Sequence, residues 1–287
     1  MVYEFETISV AFDRGVLFAT INNPPCNILS VRMMFELTQL ANDSASDAEV
    51  RAIVLQSDDP DFFIAHFDTP AVIDMPADEM QSAGELSPLH SMCAAFYENP
   101  KPSLVKLAGR AGGGGSELAS SCDMRFGVRG KTILNQMEVP LGILPAGSGT
   151  QNLARLMGRG RALEVILGAD DIDAEALAVW GYLNRLFGSR EEMDLFVDAL
   201  AFRIATWPPY AVALAKESVG NADLPWREGL MEEHALGIRT LQHPEAKRSL
   251  RTFLARGGET VGGEKRIADL SREVAVIVQS GTDRPSI

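Results

Sequence analysis

From Gly109 to Asp123 the chain runs Gly-Arg-Ala-Gly-Gly-Gly-Gly-Ser-Glu-Leu-Ala-Ser-Ser-Cys-Asp, and this stretch carries the strongest chemical signal. The consecutive glycines Gly112, Gly113, Gly114 and Gly115 have no Cβ, so the backbone there can take unusual dihedrals and approach a ligand closely. Ser116 to Ser121 are small, polar or helix-forming, so a helix is predicted to begin beside the glycines. A helix N-terminus carries unpaired N–H groups and partial positive charge. A glycine loop leading into a helix therefore predicts an anion or oxyanion site, with Glu117 in the first turn beside it. The alternative is a flexible linker whose glutamate only complements the helix dipole. Apolar sequence flanks the run, which counts against a linker.

The elements that must position this stretch are legible on both sides. Before it, Ser103 to Ala108 is predicted as a buried strand bounded by prolines and a glycine. Ile8 to Phe12 and Val16 to Ile21 are predicted as strands around a turn at Asp13-Arg14-Gly15. Ser30 is an N-cap signal for a helix through about Asn42, followed by a short buried strand at Ala52 to Leu55. The segment from Ser57 to Asp68 is expected to be a loop, and its Phe62, Phe63, His66 and Phe67 suggest a loop folded over a pocket. Pro70 to Ser87 has no firm pattern and marks a variable segment. A helix is expected from Leu89 to Tyr97. Met124 to Val128 and Thr132 to Leu134 are strand candidates, and Gly142 to Gly149 is a second glycine-rich turn. Beyond Pro208 strand patterns stop and helical ones continue through Ala255. The chain is therefore divided at about residue 207, into a mixed α/β part over 1–207 and a helical part over 208–287. Glycine pairs at Gly257-Gly258 and Gly262-Gly263 are expected to loosen the chain, and Ser280 to Ile287 to be disordered.

Composition bounds the function. The 287 residues are 46% hydrophobic and 23% charged, ordinary for a globular protein. A formal net charge of −13 argues against a nucleic-acid partner and against docking on an anionic membrane. Cys26, Cys93 and Cys122 imply no disulfide framework, which makes the cytoplasm the expected compartment. No cysteine pairs with a histidine at metal-ligand spacing, so no metal site is expected. No run reaches ~18 apolar residues, so no transmembrane helix is expected. His90, His234 and His243 have no partner spacing and are taken as structural. Ser116 and Ser148 lie among glycines, but neither forms a Gly-x-Ser-x-Gly elbow, which disfavours a serine hydrolase.

Taken together these motifs resemble the enoyl-CoA hydratase/isomerase (crotonase) superfamily. The resemblance rests on Gly112 to Ala119 with Cys122-Asp123, on Gln136-Met137-Glu138 with Leu141-Gly142, and on Pro145 with Gly149-Thr150-Gln151. Pro24, Asn27 and Leu29 resemble the entry to the family's first helix, and Lys101-Pro102 its lead into the central strand. The similarity covers residues 5–207 well and the helical remainder loosely. It implies an α/β fold, a spiral of repeated β-β-α units with a C-terminal helical region that packs trimers. It implies an acyl-CoA thioester substrate whose carbonyl is polarised by two backbone N–H groups. By position these are Gly114 and Phe67, the latter because Phe63-Ile64-Ala65-His66-Phe67-Asp68 resembles the family's Phe-x-Ala-Gly-x-Asp loop. Glu117 and Glu138 fall on the family's two acid/base positions. No cofactor is implied beyond the coenzyme A of the substrate, and a homotrimer or dimer of trimers in fatty acid metabolism is the implied form.

Physical chemistry supports the pairing independently. Adding water across a conjugated thioester needs one group to take a proton from water and one to give a proton to the α-carbon. Two carboxylates in one dry pocket can divide those tasks. Hydration of a 2-enoyl-CoA is the leading expectation. Isomerisation, hydrolysis and decarboxylation use the same oxyanion hole and remain alternatives, as does a noncatalytic or RNA-binding relative, which the acidity and the two glutamates disfavour. Three departures stand out. Pro140, with an extra residue between Cys122 and Glu138, is expected to shift the second glutamate slightly. His66 replaces a glycine of the donor loop, either as a hydrogen-bonded structural residue or as a polar group in the pocket together with Gly113. Arg110 stands where the family often has His or Tyr.

Overall fold

The computed structural model describes residues 3–76 and 84–281. It divides into two compact units, Met1–Ala201 and Phe202–Ile287. The boundary falls inside a helix, four residues before the last residue of that helix, Ala205.

In the first unit the strands are β1 (Ile8–Asp13), β2 (Val16–Ile21), β3 (Ala52–Ser57), β4 (Phe62–Ile64), β5 (Ser103–Leu107), β6 (Arg110–Gly112), β7 (Met124–Val128), β8 (Ile133–Asn135), β9 (Ile172–Asp173) and β10 (Arg185–Phe187). Helices α1 (Val31–Ser46), α2 (Thr69–Ile73), α3 (Pro88–Tyr97), α4 (Gly114–Ser121), α5 (Gly149–Met157), α6 (Arg159–Gly168), α7 (Ala174–Trp180) and α8 (Arg190–Ala205) are interleaved with them. One sheet has the order β1-β2-β3-β5-β7-β10, and the other β4-β6-β8-β9. Only β1 in the first sheet and β9 in the second run antiparallel to their neighbours. The strand pairs β3–β4, β5–β6 and β7–β8 each send their first strand to the larger sheet and their second to the smaller. A helix follows before the chain returns. That repeat is the β-β-α spiral.

Strand β5 is buried at all five positions, as expected of a central parallel strand covered on both faces. Its Lys106 is buried too, with Nζ 3.0 Å from Asp194 and 2.8 Å from Asp198 of α8. Helix α1 is capped as expected, the Ser30 hydroxyl accepting from Met33 N–H at 3.1 Å, and it buries Met33, Met34, Leu37 and Leu40.

The structure corrects the sequence analysis in four places. The segment Ser57 to Asp68 is not a loop over a pocket, because Phe62–Ile64 forms β4 and Phe63 is fully buried in the core. Arg110–Gly112 is likewise a strand, paired with β4 and β8. The glycines bounding it serve close approach rather than looseness: a Cβ on Gly109 would lie 2.5 Å from the Asp61 carbonyl, and one on Gly112 would overlap the carbonyl oxygen of Ala65. Part of the patternless Pro70 to Ser87 is ordered. Thr69–Ile73 is a short helix capped by Asp68, and residues 77–83 lie outside the described residues. The glycine pairs near the C-terminus do not end regular structure, since α12 (Val261–Glu264) and α13 (Ile267–Ser280) follow Gly257-Gly258. Of the tail expected to be disordered, residues 282–287 lie outside the described residues.

The second unit is helical, with α9 (Pro209–Gly220), α10 (Trp226–Gln242) and α11 (Pro244–Ala255) preceding α12 and α13. Leu270, Val274 and Val278, four residues apart on α13, bury one face against Phe253 of α11. Among the described residues no helix is long and apolar enough to cross a membrane.

Candidate active site

The site is built where β4, β6 and β8 deliver their C-terminal ends to the start of α4. Gly113 makes the turn with φ 45° and ψ −122°, a conformation that side chains resist. Its N–H donates to the Asn135 carbonyl at 3.0 Å. A Cβ on Gly113 would lie 2.7 Å from Glu138 Oε1 and 3.4 Å from His66 Cβ, so Gly113, His66 and Glu138 meet at one point. Gly114 opens α4, where helix N–H groups have no intrahelical acceptor. A Cβ on it would meet Leu29 Cδ2 at 2.9 Å and Phe67 Cβ at 3.4 Å.

Phe67 lies in a parallel bridge to Leu29. Leu29 N–H donates to the His66 carbonyl at 2.8 Å, and Asp68 N–H donates to the Leu29 carbonyl at 3.1 Å. Such a bridge uses the groups on either side of Phe67 and leaves its own N–H on the opposite edge. The Cβ position of Gly114 is 3.7 Å from that nitrogen. The structure thus sets Phe67 and Gly114, far apart in sequence, side by side.

Glu117 sits in the first turn of α4 and is 2% exposed. Its Oε1 accepts from Gly147 N–H at 2.6 Å and Gly149 N–H at 3.0 Å. Burial raises the pKa of its carboxyl above the ordinary value, while those N–H groups and the charge of His90 favour the ionised form. Glu138 follows β8 and immediately precedes a short 3-10 turn, Val139–Leu141, without capping it through its side chain. It is half-buried, and burial, with the charge of Glu117 added, pushes its carboxyl up to about 7. The two acids therefore share one electrostatic environment but differ in how tightly each is held.

His66 Nδ1 lies 2.8 Å from the carbonyl oxygen of Phe67, so the imidazole is tied to the backbone beside the site. Several residues were not assigned from sequence. Gly147 and Gly149 were visible only as part of a glycine-rich turn, yet their N–H groups grip Glu117. Between them Ser148 has φ 129°, a value L side chains rarely adopt, and its hydroxyl is bonded to Ser121 Oγ at 3.0 Å and Asn152 Nδ2 at 3.1 Å. His90, taken as purely structural, is capped by Ser87 with Oγ 2.7 Å from Nδ1 and acts electrostatically on Glu117. The basic residues near the glycine loop are engaged elsewhere: Arg110 with Asp171 through bonds of 2.5 and 2.6 Å, Lys106 with α8. Among the described residues no three His, Cys, Asp or Glu side chains converge to hold a metal ion.

The profile of the family described as Enoyl-CoA hydratase/isomerase matches residues 11–260. A Bacillus subtilis protein named "Probable enoyl-CoA hydratase" is 30% identical over 262 residues, covering 90% of this chain and 99% of that protein. The short-chain-enoyl-CoA hydratase of Clostridium acetobutylicum is 30% identical over 219 residues, covering 76% of this chain and 82% of that one. The crystal structure of an enoyl-CoA hydratase from Bacillus anthracis superposes with a TM-score of 0.80 at 26% identity, covering 88% of this chain and 97% of that one. By sequence and by fold, this chain belongs to the enoyl-CoA hydratase/isomerase family of enzymes and has the crotonase fold.

Proposed function

We propose that this enzyme adds water to a 2-enoyl-CoA, with Glu117 and Glu138 as the acid/base pair and the N–H groups of Phe67 and Gly114 as the oxyanion hole. The observation that carries the reading is the unequal hold on two neighbouring carboxyls beside one glycine turn. Two like charges in one poorly solvated pocket do not both ionise readily, so the pair retains a proton near neutrality. Burial raises the Glu117 carboxyl as well, but two backbone N–H donors are aimed at its Oε1, and on that geometry we assign it the negative charge. Glu138, pushed up to about 7, is the better place for the proton.

The thioester oxygen would accept from Phe67 and Gly114 N–H, in a place where donors are already oriented and little reorganisation is needed. Glu117 takes a proton from water as the hydroxyl bonds to the β-carbon. The electron pair of the double bond moves to the thioester as an enolate held by the two N–H groups. Protonated Glu138 then delivers its proton to the α-carbon, and the enolate collapses to the 3-hydroxyacyl-CoA. One proton passing from Glu117 to Glu138 resets the pair. The chemistry needs no cofactor beyond the coenzyme A of the substrate.

A homotrimer or a dimer of trimers is the oligomer we infer, in the cytoplasm and in fatty acid metabolism. Leu230, Ile238, Leu241 and Leu250 are all exposed on the helical unit, which supports packing against further copies of the chain. The test of the activity is a panel of acyl-CoA thioesters read by mass spectrometry. Gain of one water by a 2-enoyl-CoA is the expected result. Rearrangement without mass change would make it an isomerase, and release of free CoA a hydrolase.

A further inference from the structure

Ser148 is the N-cap residue of α5, yet its hydroxyl does not cap that helix. A serine at this position ordinarily has an extended backbone and accepts from an N–H of the first turn. Here φ is 129° and ψ −6°, a conformation that L side chains resist. The residue forgoes its usual hydrogen bond and carries backbone strain besides. Its partners lie towards α4 instead. Ser148 Oγ is 3.0 Å from Ser121 Oγ, which is 2.9 Å from Asn152 Nδ2, and that nitrogen is 3.1 Å from Ser148 Oγ. The direction of these bonds follows from their surroundings. The Glu117 backbone carbonyl can only accept, and Ser121 Oγ donates to it at 2.8 Å. With its one proton so used, Ser121 accepts from Ser148 and from Asn152. Ser148 Oγ is itself 3.3 Å from the same carbonyl.

This triangle of side chains joins the backbone of Glu117 to the turn that holds its carboxylate. Gly147 N–H and Gly149 N–H meet Glu117 Oε1 at 2.6 and 3.0 Å, and Ser148 is the residue between those donors. Backbone N–H groups of neighbouring residues converge on one anion where the chain takes turn dihedrals outside the ordinary regions. We propose that Ser148 is a positioning residue for Glu117: its hydroxyl, held by Ser121 and Asn152, keeps the strained turn in the shape that aims both flanking N–H groups at Oε1. Those bonds favour the ionised carboxylate, so the brace acts on the charge of Glu117 as well as on its place. Among the described residues the other titratable groups acting on Glu117 are His90 and Cys93 of α3 and Glu138. The Cys93 thiol, which burial pushes up to about 12, stays neutral throughout.

The kinetic part of the test rests on the hydration reading, and the titration part does not. Glutamate carboxyl carbons are labelled with ¹³C and titrated by NMR in the resting protein, in a Glu138→Gln background that leaves Glu117 as the one acid of the pair. The Glu117 signal is assigned by its loss in Glu117→Gln. In Ser148→Ala, which keeps the β-carbon and removes the hydroxyl, the Glu117 titration should move up by about one pH unit, the scale of one charge-assisted hydrogen bond. Ser148→Gly should move it the same way. That variant should nonetheless melt about 2 °C above Ser148→Ala, because glycine takes the φ of this position without strain. A residue serving stability alone would not move the titration. With Glu138 restored, kcat of Ser148→Ala on a four-carbon 2-enoyl-CoA should fall about tenfold, with KM changed less than about twofold. Asn152→Ala, which removes one corner of the triangle, should shift the titration up by less. A Glu117 titration that stays put or moves down in folded Ser148→Ala overturns the proposal. So does a shift in Ser148→Ala that Ser148→Gly lacks, since the β-carbon would then be its cause. If neither Ser148 variant folds, the sign of the shift in Asn152→Ala decides. If the wild type proves not to hydrate enoyl thioesters, the titration still decides. If it does hydrate them and kcat of Ser148→Ala is unchanged, the positioning role fails while hydration stands.

Discussion

The two carboxyls of the site sit on the same fold a few elements apart, and their surroundings differ in kind. Glu117 is enclosed in a helix whose eight residues are all buried, and rigid backbone N–H groups from the α5 entry turn hold one of its oxygens. Glu138 stands half-buried at the end of a short strand, with a glycine backbone on one side and the Gln136 amide on the other. Backbone donors cannot be repositioned by side-chain motion, so they suit a group that must stay charged and aimed. A half-buried edge with an elevated pKa suits a group that must gain and lose a proton. The difference teaches that two identical side chains receive different tasks from what donates to them and how far water reaches them.

The largest expected effects come from abolishing the comparison. Glu117→Gln and Glu138→Gln should each lower kcat on a 2-enoyl-CoA by ~10²-fold or more, within the range of general acid–base catalysis. The double variant should lose less than the product of the singles, because both act on one transition state. Steady-state kinetics on the three variants checks this. Gly114→Pro removes the proposed oxyanion donor common to both tasks and should cost ~10²–10³ in kcat. Near-normal turnover in that folded variant would contradict the assignment.

A smaller change separates the two acids. A Cβ on Gly147 would lie 2.6 Å from Glu117 Oε2 and 2.8 Å from Leu89 Cγ. Gly147→Ala should therefore displace Glu117, lowering kcat by roughly tenfold or more, since small misplacements of reacting groups are costly. The Glu138 titration should move far less than kcat.

The pH dependence of folding sharpens the same contrast. Burial, with the charge of Glu117 added, pushes the Glu138 carboxyl of the folded protein up to about 7 from the ordinary 4.5. Its contribution to stability is most favourable below 4.5 and is lost as pH rises through about 7, because the folded state holds the proton longer than the unfolded chain. Glu138→Gln should thus melt higher than wild type at alkaline pH and alike at acid pH, by calorimetry. The smallest effect belongs to Arg110, whose pair with Asp171 is partly exposed. Arg110→Gln should cost at most about 1 kcal/mol in denaturant unfolding and leave kcat unchanged.

Much of this was legible in the sequence. The buried run of β5, the Ser30 cap and the glycine turn before Glu117 follow from local chemistry. Glu138, Phe67 and the spiral came from the resemblance. What stayed hidden is long-range. Phe62–Ile64 is too short and too aromatic to distinguish from a loop until β6 pairs with it. The clamp of Gly147 and Gly149 on Glu117 joins residues about thirty apart in sequence, and no periodicity encodes it. His90 carries no spacing signal because its influence on Glu117 arises from packing of α3. The C-terminal helix α13 has an apolar stripe four residues apart, but the preceding glycines obscured it.

The central claim is that the two glutamates together add solvent oxygen to a carbon–carbon double bond. The most direct measurement is turnover of a 2-enoyl-CoA in ¹⁸O-water, with the product's label located by mass spectrometry. Label at the β-carbon in the wild type, falling with kcat in both Glu→Gln variants, is the predicted result. A shifted double bond without label, or label in a released carboxylate, would contradict it.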